Sequence, residues 1–196
     1  MLIACNMGNI LKVFDRVKSS NSGKVVKISD SGSFPLHNYL PTGTDDPKDV
    51  SELILTGVVL KVVPSDIWCF INITKLDLSQ NELEDMHPSI TRFTHLKDLN
   101  LSHNNLREYP NYMCNFQKLT CLDLSFNLLE RLQTEMQYLV NLKTLKTEGN
   151  PTLISPSQDV CARGKVAIFA ELHKRQTGRQ QNLWKNWKPY YRRDNR

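Results

Sequence analysis

The stretch that decides the fold is residues 75–83, KLDLSQNEL, which returns as DLNLSHNNL at residues 98–106 and as CLDLSFNLL at residues 121–129. Successive copies are 23 residues apart, and weaker copies on both sides extend the repeat from about Val50 to Asn150. Self-similarity at a fixed period of roughly 20–50 residues is typical of a solenoid. The many aligned apolar positions exclude a chance pattern.

Each copy contains leucines two residues apart, such as Leu76 and Leu78, which predicts a short strand with one buried face. An asparagine follows each strand, and we expect its amide to turn inward and pair with backbone groups at the bend. The members of this asparagine ladder are Asn81, Asn104, Asn127 and Asn150. Further apolar columns predict a short helical or 3₁₀ turn on the back of each coil, punctuated by Pro64 and Pro110.

Stacked units of this kind predict an α/β solenoid: a short horseshoe of four to five repeats with parallel strands on its concave face and a helical cap at each end. Residues 1–47 are expected to form an N-terminal capping helix, at residues 8–19, and a linker with a possible strand at residues 24–28. The repeats are expected at residues 48–154 and the C-terminal capping helix at residues 155–175. Residues 176–196 then form a basic, aromatic tail.

The 23-residue unit with its asparagine and mid-repeat proline resembles the intracellular leucine-rich repeat of the Ras-suppressor type. The exit sequence from Glu148 through Phe169 is similar to the closing repeat and capping helix of such proteins. The resemblance implies a non-catalytic adaptor in intracellular signalling, including regulation of small GTPase pathways. It implies a protein partner without naming it, since the same scaffold serves many binders.

The five cysteines are scattered without a C-x-x-C pair, so they are expected to be reduced thiols. The first residues lack the basic region of a signal peptide, and no apolar run approaches the length of a membrane span. We therefore expect a cytoplasmic protein, with the nucleus as an alternative, that is neither secreted nor membrane-spanning.

The charge is concentrated at the C-terminal end, because residues 173–196 carry eight Lys/Arg against one acid, net +7, and the remaining chain is −2. The expected tail contacts are Trp184, Lys185, Trp187, Lys188, Tyr190, Tyr191, Arg192 and Arg193. These residues could fold back on the last repeat, dock on a protein, or contact nucleic acid or an anionic membrane. The alternative function is therefore a subunit of a ribonucleoprotein, cytoskeletal or ciliary assembly that contacts its partner through the tail.

The repeat period also predicts which side chains the concave face offers to a protein. These candidates are Lys75, Asp77, Asp98, Asn100, Cys121, Asp123, Phe126 and Lys146. A neighbouring column, with Ser79, Ser102 and Ser125, is expected to be exposed on the same face. The acidic centre of the face would suit a basic protein surface, and Phe126 is a large apolar residue where the adjacent units have Gln80 and His103.

Catalytic, metal and cofactor signatures are not apparent in the sequence. Residues 22–25, SGKV, lack the first glycine and the Ser/Thr of a phosphate-binding loop, and His87, His95 and His103 are not at metal-ligand spacing. We therefore expect no enzyme activity, no metal, no cofactor and no small-molecule substrate.

Overall fold

The leucine pairs of successive repeats form short parallel strands that stack in register. The computed structural model describes residues 18–20, 23–28 and 47–191, and the side chains of residues 18–20, 23, 24, 28, 47, 66 and 179–191 lie outside that description. The repeat strands are β3 (Val50–Leu55), β4 (Lys75–Asp77), β5 (Asp98–Asn100), β6 (Cys121–Asp123) and β7 (Thr144–Lys146). Each strand pairs with the residues 23 positions away, so the sequence period is the register of the sheet.

The N-terminal edge of this sheet is extended by a hairpin. Strand β1 (Lys18–Ser20) pairs antiparallel with β2 (Gly23–Ile28), and β2 pairs parallel with β3. The strand predicted at residues 24–28 is confirmed. The helix predicted at residues 8–19 cannot reach its expected end because Lys18 and Ser19 are extended, and its residues 8–17 lie outside the described part of the chain.

The return segments on the back of the coils are 3₁₀ helices, as the apolar columns predict. They are Ser65–Cys69, Pro88–Arg92, Asn111–Asn115 and Thr134–Tyr138. The residues that precede them, Pro64, His87, Pro110 and Gln133, are all extended. The fixed φ of proline suits this position, where the chain leaves an extended segment and begins to turn.

The core lies between the strands and the 3₁₀ helices and runs the length of the repeats. The central leucines Leu53, Leu76, Leu99 and Leu122 are fully buried, and so is Phe93 on the opposite wall. Each buried leucine contributes about 1.5–3 kcal/mol relative to an exposed one. Because every coil covers the next, the stability is approximately a sum over neighbouring coils.

The asparagine ladder lies inside this core. Asn104 Oδ1 accepts from Leu83 N at 3.0 Å, and its Nδ2 lies 2.9 Å from Leu78 O. Asn81, Asn127 and Asn150 are likewise buried, and each bonds the backbone of its own coil and of the preceding one. Each amide thus satisfies backbone groups that the bend removes from the strand ladder.

The C-terminal end is covered by two helices, α1 (Gln158–Ala162) and α2 (Lys165–Tyr191). Gly164 separates them with φ of +80°, a conformation that suits glycine. Ile168 and Leu172 of α2 are fully buried against the last coil. The capping helix expected to end at residue 175 continues instead to Tyr191, so most of the expected tail shares the backbone of the cap.

Candidate functional site

The face of the sheet opposite the core, here called the outer sheet face, carries the side chains that lie between the buried leucines. On it the structure places together Lys75, Asp77, Asp98, Asn100, Cys121, Asp123 and Lys146, on four adjacent strands. Asp77, Asn100, Asp123 and Lys146 follow one another directly across strands β4 to β7. The 23-residue period therefore brings these residues into one row.

The serine column beside this row is not exposed, contrary to the sequence-based expectation. Ser79, Ser102 and Ser125 are 6 %, 7 % and 4 % exposed. Each donates its hydroxyl and its backbone N–H to the side chain two residues earlier in the chain. In the first of these, Asp77 Oδ1 lies 2.9 Å from Ser79 N and 2.6 Å from Ser79 Oγ.

The same bonds join Asn100 to Ser102 and Asp123 to Ser125. In Asp77, Asn100 and Asp123, one side-chain oxygen therefore accepts the hydrogen bonds that close the bend after the strand. The central row is partly structural, and only its remaining polar atoms can meet a partner.

Asp123 does not add free negative charge to the face. Its second oxygen, Oδ2, lies 2.9 Å from Lys146 Nζ. Burial raises the pKa of Asp123, but the hydrogen bonds from Ser125 and Lys146 outweigh burial and lower it overall. The hydrogen bond with Asp123 and its charge raise the pKa of Lys146 in turn. The expected acidic centre is therefore reduced to Asp77 and Asp98.

A second ion pair among the described residues of the face is longer, with 3.9 Å between Lys75 Nζ and Glu52 Oε2. Cys121 lies next to Asp98, and burial followed by the Asp98 charge raises the pKa of its thiol. A protonated thiol is a weak nucleophile. Burial and the neighbouring carboxylate therefore make the Cys121 thiol less reactive.

The bend after each strand holds a residue with a left-handed backbone, and the bend after β3 holds a second one, Val59, with φ of 57°. The residues other than Val59 form a column 23 positions apart: Gly57, Gln80, His103, Phe126 and Gly149, with φ between 54° and 70°. Glycine adopts this conformation freely, whereas an L side chain costs roughly 1–2 kcal/mol there. The glycines at both ends of the column, Gly57 and Gly149, are the sequence signal from which this strain could have been recognised.

Phe126 is the most unusual member of this left-handed column. Its ring stacks on His103 with centroids 4.4 Å apart and an interplanar angle of 9°. On the other side lies the backbone of Gly149, where an added Cβ would lie only 2.5 Å from Phe126 Cδ1. Phe126 is nevertheless 49 % exposed, and Leu128 two residues later is 37 % exposed. The ring is therefore held between two neighbours and presents its edge to solvent.

The expected tail contacts are divided by the structure. Trp184, Lys185, Trp187, Lys188, Tyr190 and Tyr191 have their backbone in α2. Their side chains, and all of Arg192 and Arg193, lie outside the described part of the chain. Whether they contact a partner stays a prediction.

Within the described residues, no group of three or more His, Cys, Asp and Glu side chains is arranged to hold a metal ion. None of the described helices combines the length and apolar character needed to cross a bilayer.

Comparisons with known proteins agree with this geometry. Residues 71–129 match the family model described as leucine rich repeat. The comparison with curated proteins gave no match. The chain thus carries leucine-rich repeats, folded as the short α/β solenoid of that class.

Two solved structures illustrate the likeness. The plant peptide hormone receptor RGFR1, in complex with RGF2, is 29 % identical over 70 % of this chain, with a TM-score of 0.54. A leucine-rich-repeat protein of Leptospira interrogans is 35 % identical over 51 % of this chain, with a TM-score of 0.47. The match spans 22 % and 25 % of those two chains, so it covers about a quarter of each.

Proposed function

We propose that this chain is a non-catalytic interaction module that binds a protein partner through the outer sheet face and the exposed ring of Phe126. The scaffold supports this proposal, because leucine-rich repeats commonly present one sheet face to other proteins. The receptor RGFR1, whose repeats are similar to these, is in complex with RGF2.

The observation that carries the proposal is the backbone strain at an exposed aromatic residue. Phe126 has φ of 54° and is half exposed, although the same position holds glycine in two other coils. Strain of roughly 1–2 kcal/mol at an exposed position is offset in part by the stack on His103, worth about 0.5–1.5 kcal/mol. Because stability gains little from Phe126, contact with a partner explains better why the ring stands there.

The finer assignment rests on the resemblance of the repeat. The 23-residue unit with mid-repeat proline favours an intracellular adaptor of the Ras-suppressor type, acting in signalling in the cytoplasm or nucleus. Scattered cysteines without a paired pattern support a reducing compartment.

The test is an affinity capture with the full chain and two matched variants. Phe126→Gly removes the ring but suits the left-handed backbone, so the coil should remain folded. Val140→Gly removes a 69 % exposed apolar side chain that follows the last 3₁₀ helix, away from the outer sheet face. An aromatic hot-spot residue near the centre of an interface contributes about 2 kcal/mol or more, so Phe126→Gly should weaken capture roughly thirtyfold.

The outcomes separate the proposal from its alternative. A partner retained by wild type and Val140→Gly but lost by Phe126→Gly supports binding at this face. If Phe126→Gly and Asp77→Lys both retain every partner, the proposal is wrong. If capture depends instead on residues 179–196, removed by a stop after Gly178, the ribonucleoprotein, cytoskeletal or ciliary alternative is favoured.

A further inference from the structure

The distal part of α2, residues 179–191, combines a continuous helical backbone with a distinctive residue pattern. At about 100° per residue, the helix register places Trp184, Trp187 and Tyr191 within one narrow arc. Leu183 and Tyr190 widen this mainly apolar arc to about 120°, which is the width of a full amphipathic stripe, and Gln180 is the polar residue that the register places within it.

Basic residues flank the apolar arc on both sides. In the register, Lys185 and Lys188 lie beyond one border and Arg179 lies beyond the other, while the opposite side holds asparagine and proline. Residues 173–191 contain five Lys/Arg and no Asp or Glu. The segment is therefore cationic along its whole length, whereas residues 1–172 carry a net charge of −2.

The proximal part of α2 is fixed to the solenoid, so the distal part begins from a defined direction. Ile168 and Leu172 are fully buried, and Gln176 Nε2 donates to the Tyr138 hydroxyl at 2.8 Å. The helix of 27 residues is about 40 Å long, and its last thirteen residues account for about 20 Å. A helix already formed and anchored loses less conformational entropy on binding than a disordered tail does.

We propose that residues 179–191 bind an anionic lipid surface, with the apolar arc at the level of the headgroups and the flanking lysines and arginine toward lipid phosphates. Tryptophan and tyrosine favour the membrane–water interface, and a basic helix with an aromatic face lies in that plane. Long basic side chains at the borders of the arc can reach outward while their stems cover apolar surface.

Nucleic acid matches this pattern less well. Its phosphates would attract the same lysines and its bases stack on single aromatic rings, but it offers no continuous apolar layer for five side chains on one helix face. An acidic protein surface has the same deficiency unless it also has an apolar groove. The combination of one apolar arc with basic borders on both sides therefore favours lipid.

Tryptophan fluorescence gives a direct assay with the full chain. The chain has three tryptophans, and Trp68 is only 7 % exposed in the core, where it packs on Phe93. Vesicle binding should therefore change the emission of Trp184 and Trp187 and leave that of Trp68 unchanged. We expect a blue shift and co-sedimentation with vesicles of phosphatidylcholine containing about one-third phosphatidylserine, and neither with phosphatidylcholine alone.

Matched charge variants test the role of the helix. Each lysine near an anionic surface is worth about fivefold in affinity, so Lys185→Gln with Lys188→Gln should weaken vesicle binding roughly thirtyfold. The control is Lys118→Gln with Lys143→Gln, which makes the same charge change at two exposed positions of the repeats. The control should bind as wild type, and about 0.5 M salt should weaken wild-type binding by screening.

Three results would overturn the proposal. The first is equal binding to neutral and anionic vesicles, and the second is an equal loss of binding in both lysine pairs. The third is failure to bind anionic vesicles, and binding of polyuridylate RNA through Lys185 and Lys188 would then assign the segment to nucleic acid. None of these results affects the partner site at Phe126, which is tested separately by Phe126→Gly.

Discussion

Asn104→Leu tests the physical basis of the repeat most directly. In the structure Asn104 Oδ1 accepts from the backbone N–H of Leu83, which is fully buried. Its Nδ2 donates to the carbonyls of Leu78, Leu101 and Ser102. Leucine is similar in size but can neither donate nor accept.

The lost bonds are not equivalent. Leu78 O keeps a bond from Asn81 Nδ2, and Leu101 O keeps one from Asn127 Nδ2. Leu83 N–H loses its acceptor, and an orphaned buried donor costs about 1–3 kcal/mol. Adding the weakened carbonyl bonds gives a loss of about 2–4 kcal/mol in the free energy of unfolding. For a chain of this size the melting temperature should fall by roughly 5–15 °C.

The assay is thermal unfolding followed by circular dichroism, with Asn105→Leu as the control. Asn105 is the next residue, and its side chain is exposed, so this variant makes the same chemical change outside the core. Hydrogen exchange adds a local readout, because the Leu83 amide should exchange faster in Asn104→Leu. If Asn104→Leu melts as the parent does, the inward role of the asparagine is refuted. If both variants lose the same stability, the orphaned Leu83 N–H is not the cause.

Three further predictions follow from single contacts. Gly149→Ala should destabilise the fold by about 1–3 kcal/mol, because φ is +70° and the new Cβ would lie 2.5 Å from a ring carbon of Phe126. Gly178→Ala should instead stabilise the fold by about 0.5–1 kcal/mol, because Gly178 lies in a helix and nothing is within 4 Å of the new Cβ. Chemical denaturation measures both changes, and the opposite order would contradict the geometry. Lys146→Met should raise the pKa of Asp123, because it removes a hydrogen bond that lowers this pKa. A lowered pKa stabilises the fold above the unfolded pKa, and this stability is lost as pH falls through the folded pKa, so the variant should lose less stability on acidification. An unchanged carboxyl titration by NMR would count against the ion pair. Burial raises the pKa of Cys114 to about 12, so a thiol reagent at neutral pH should modify this residue only when the protein unfolds. Rapid labelling of Cys114 in the folded protein, detected by mass spectrometry, would show that the thiol is not buried.

The repeat architecture could be predicted in detail because its information is local and repeated. A two-residue alternation of leucines specifies a strand, and a fixed step of 23 residues specifies which strand residues become neighbours. The 3₁₀ helices followed from the apolar columns and from Pro64 and Pro110. Of the two strands in the N-terminal region β2 was predicted, but neither β1 nor the pairing of β2 with β3 was.

The candidate site was predicted less completely. Sequence reasoning selected Phe126 because it differs from Gln80 and His103, but did not recognise that all three have a left-handed backbone. It placed Ser79 and its equivalents on the exposed face, whereas they are buried as donors to the central row. Such errors arise because alternation along a strand ends where the strand ends, and these residues lie in the bend that follows.

The sequence by itself determined the period, the sheet register, the inward leucines and the central row of side chains on the outer sheet face. These follow from side-chain alternation and repetition, which need no knowledge of the rest of the chain. Only the tertiary structure showed that Lys146 neutralises Asp123, that Phe126 is held between His103 and Gly149, and that α2 continues to Tyr191. The ion pair and the position of the Phe126 ring each join residues from different coils, 23 residues apart in the chain. Their distances and backbone angles are therefore fixed only when the coils stack.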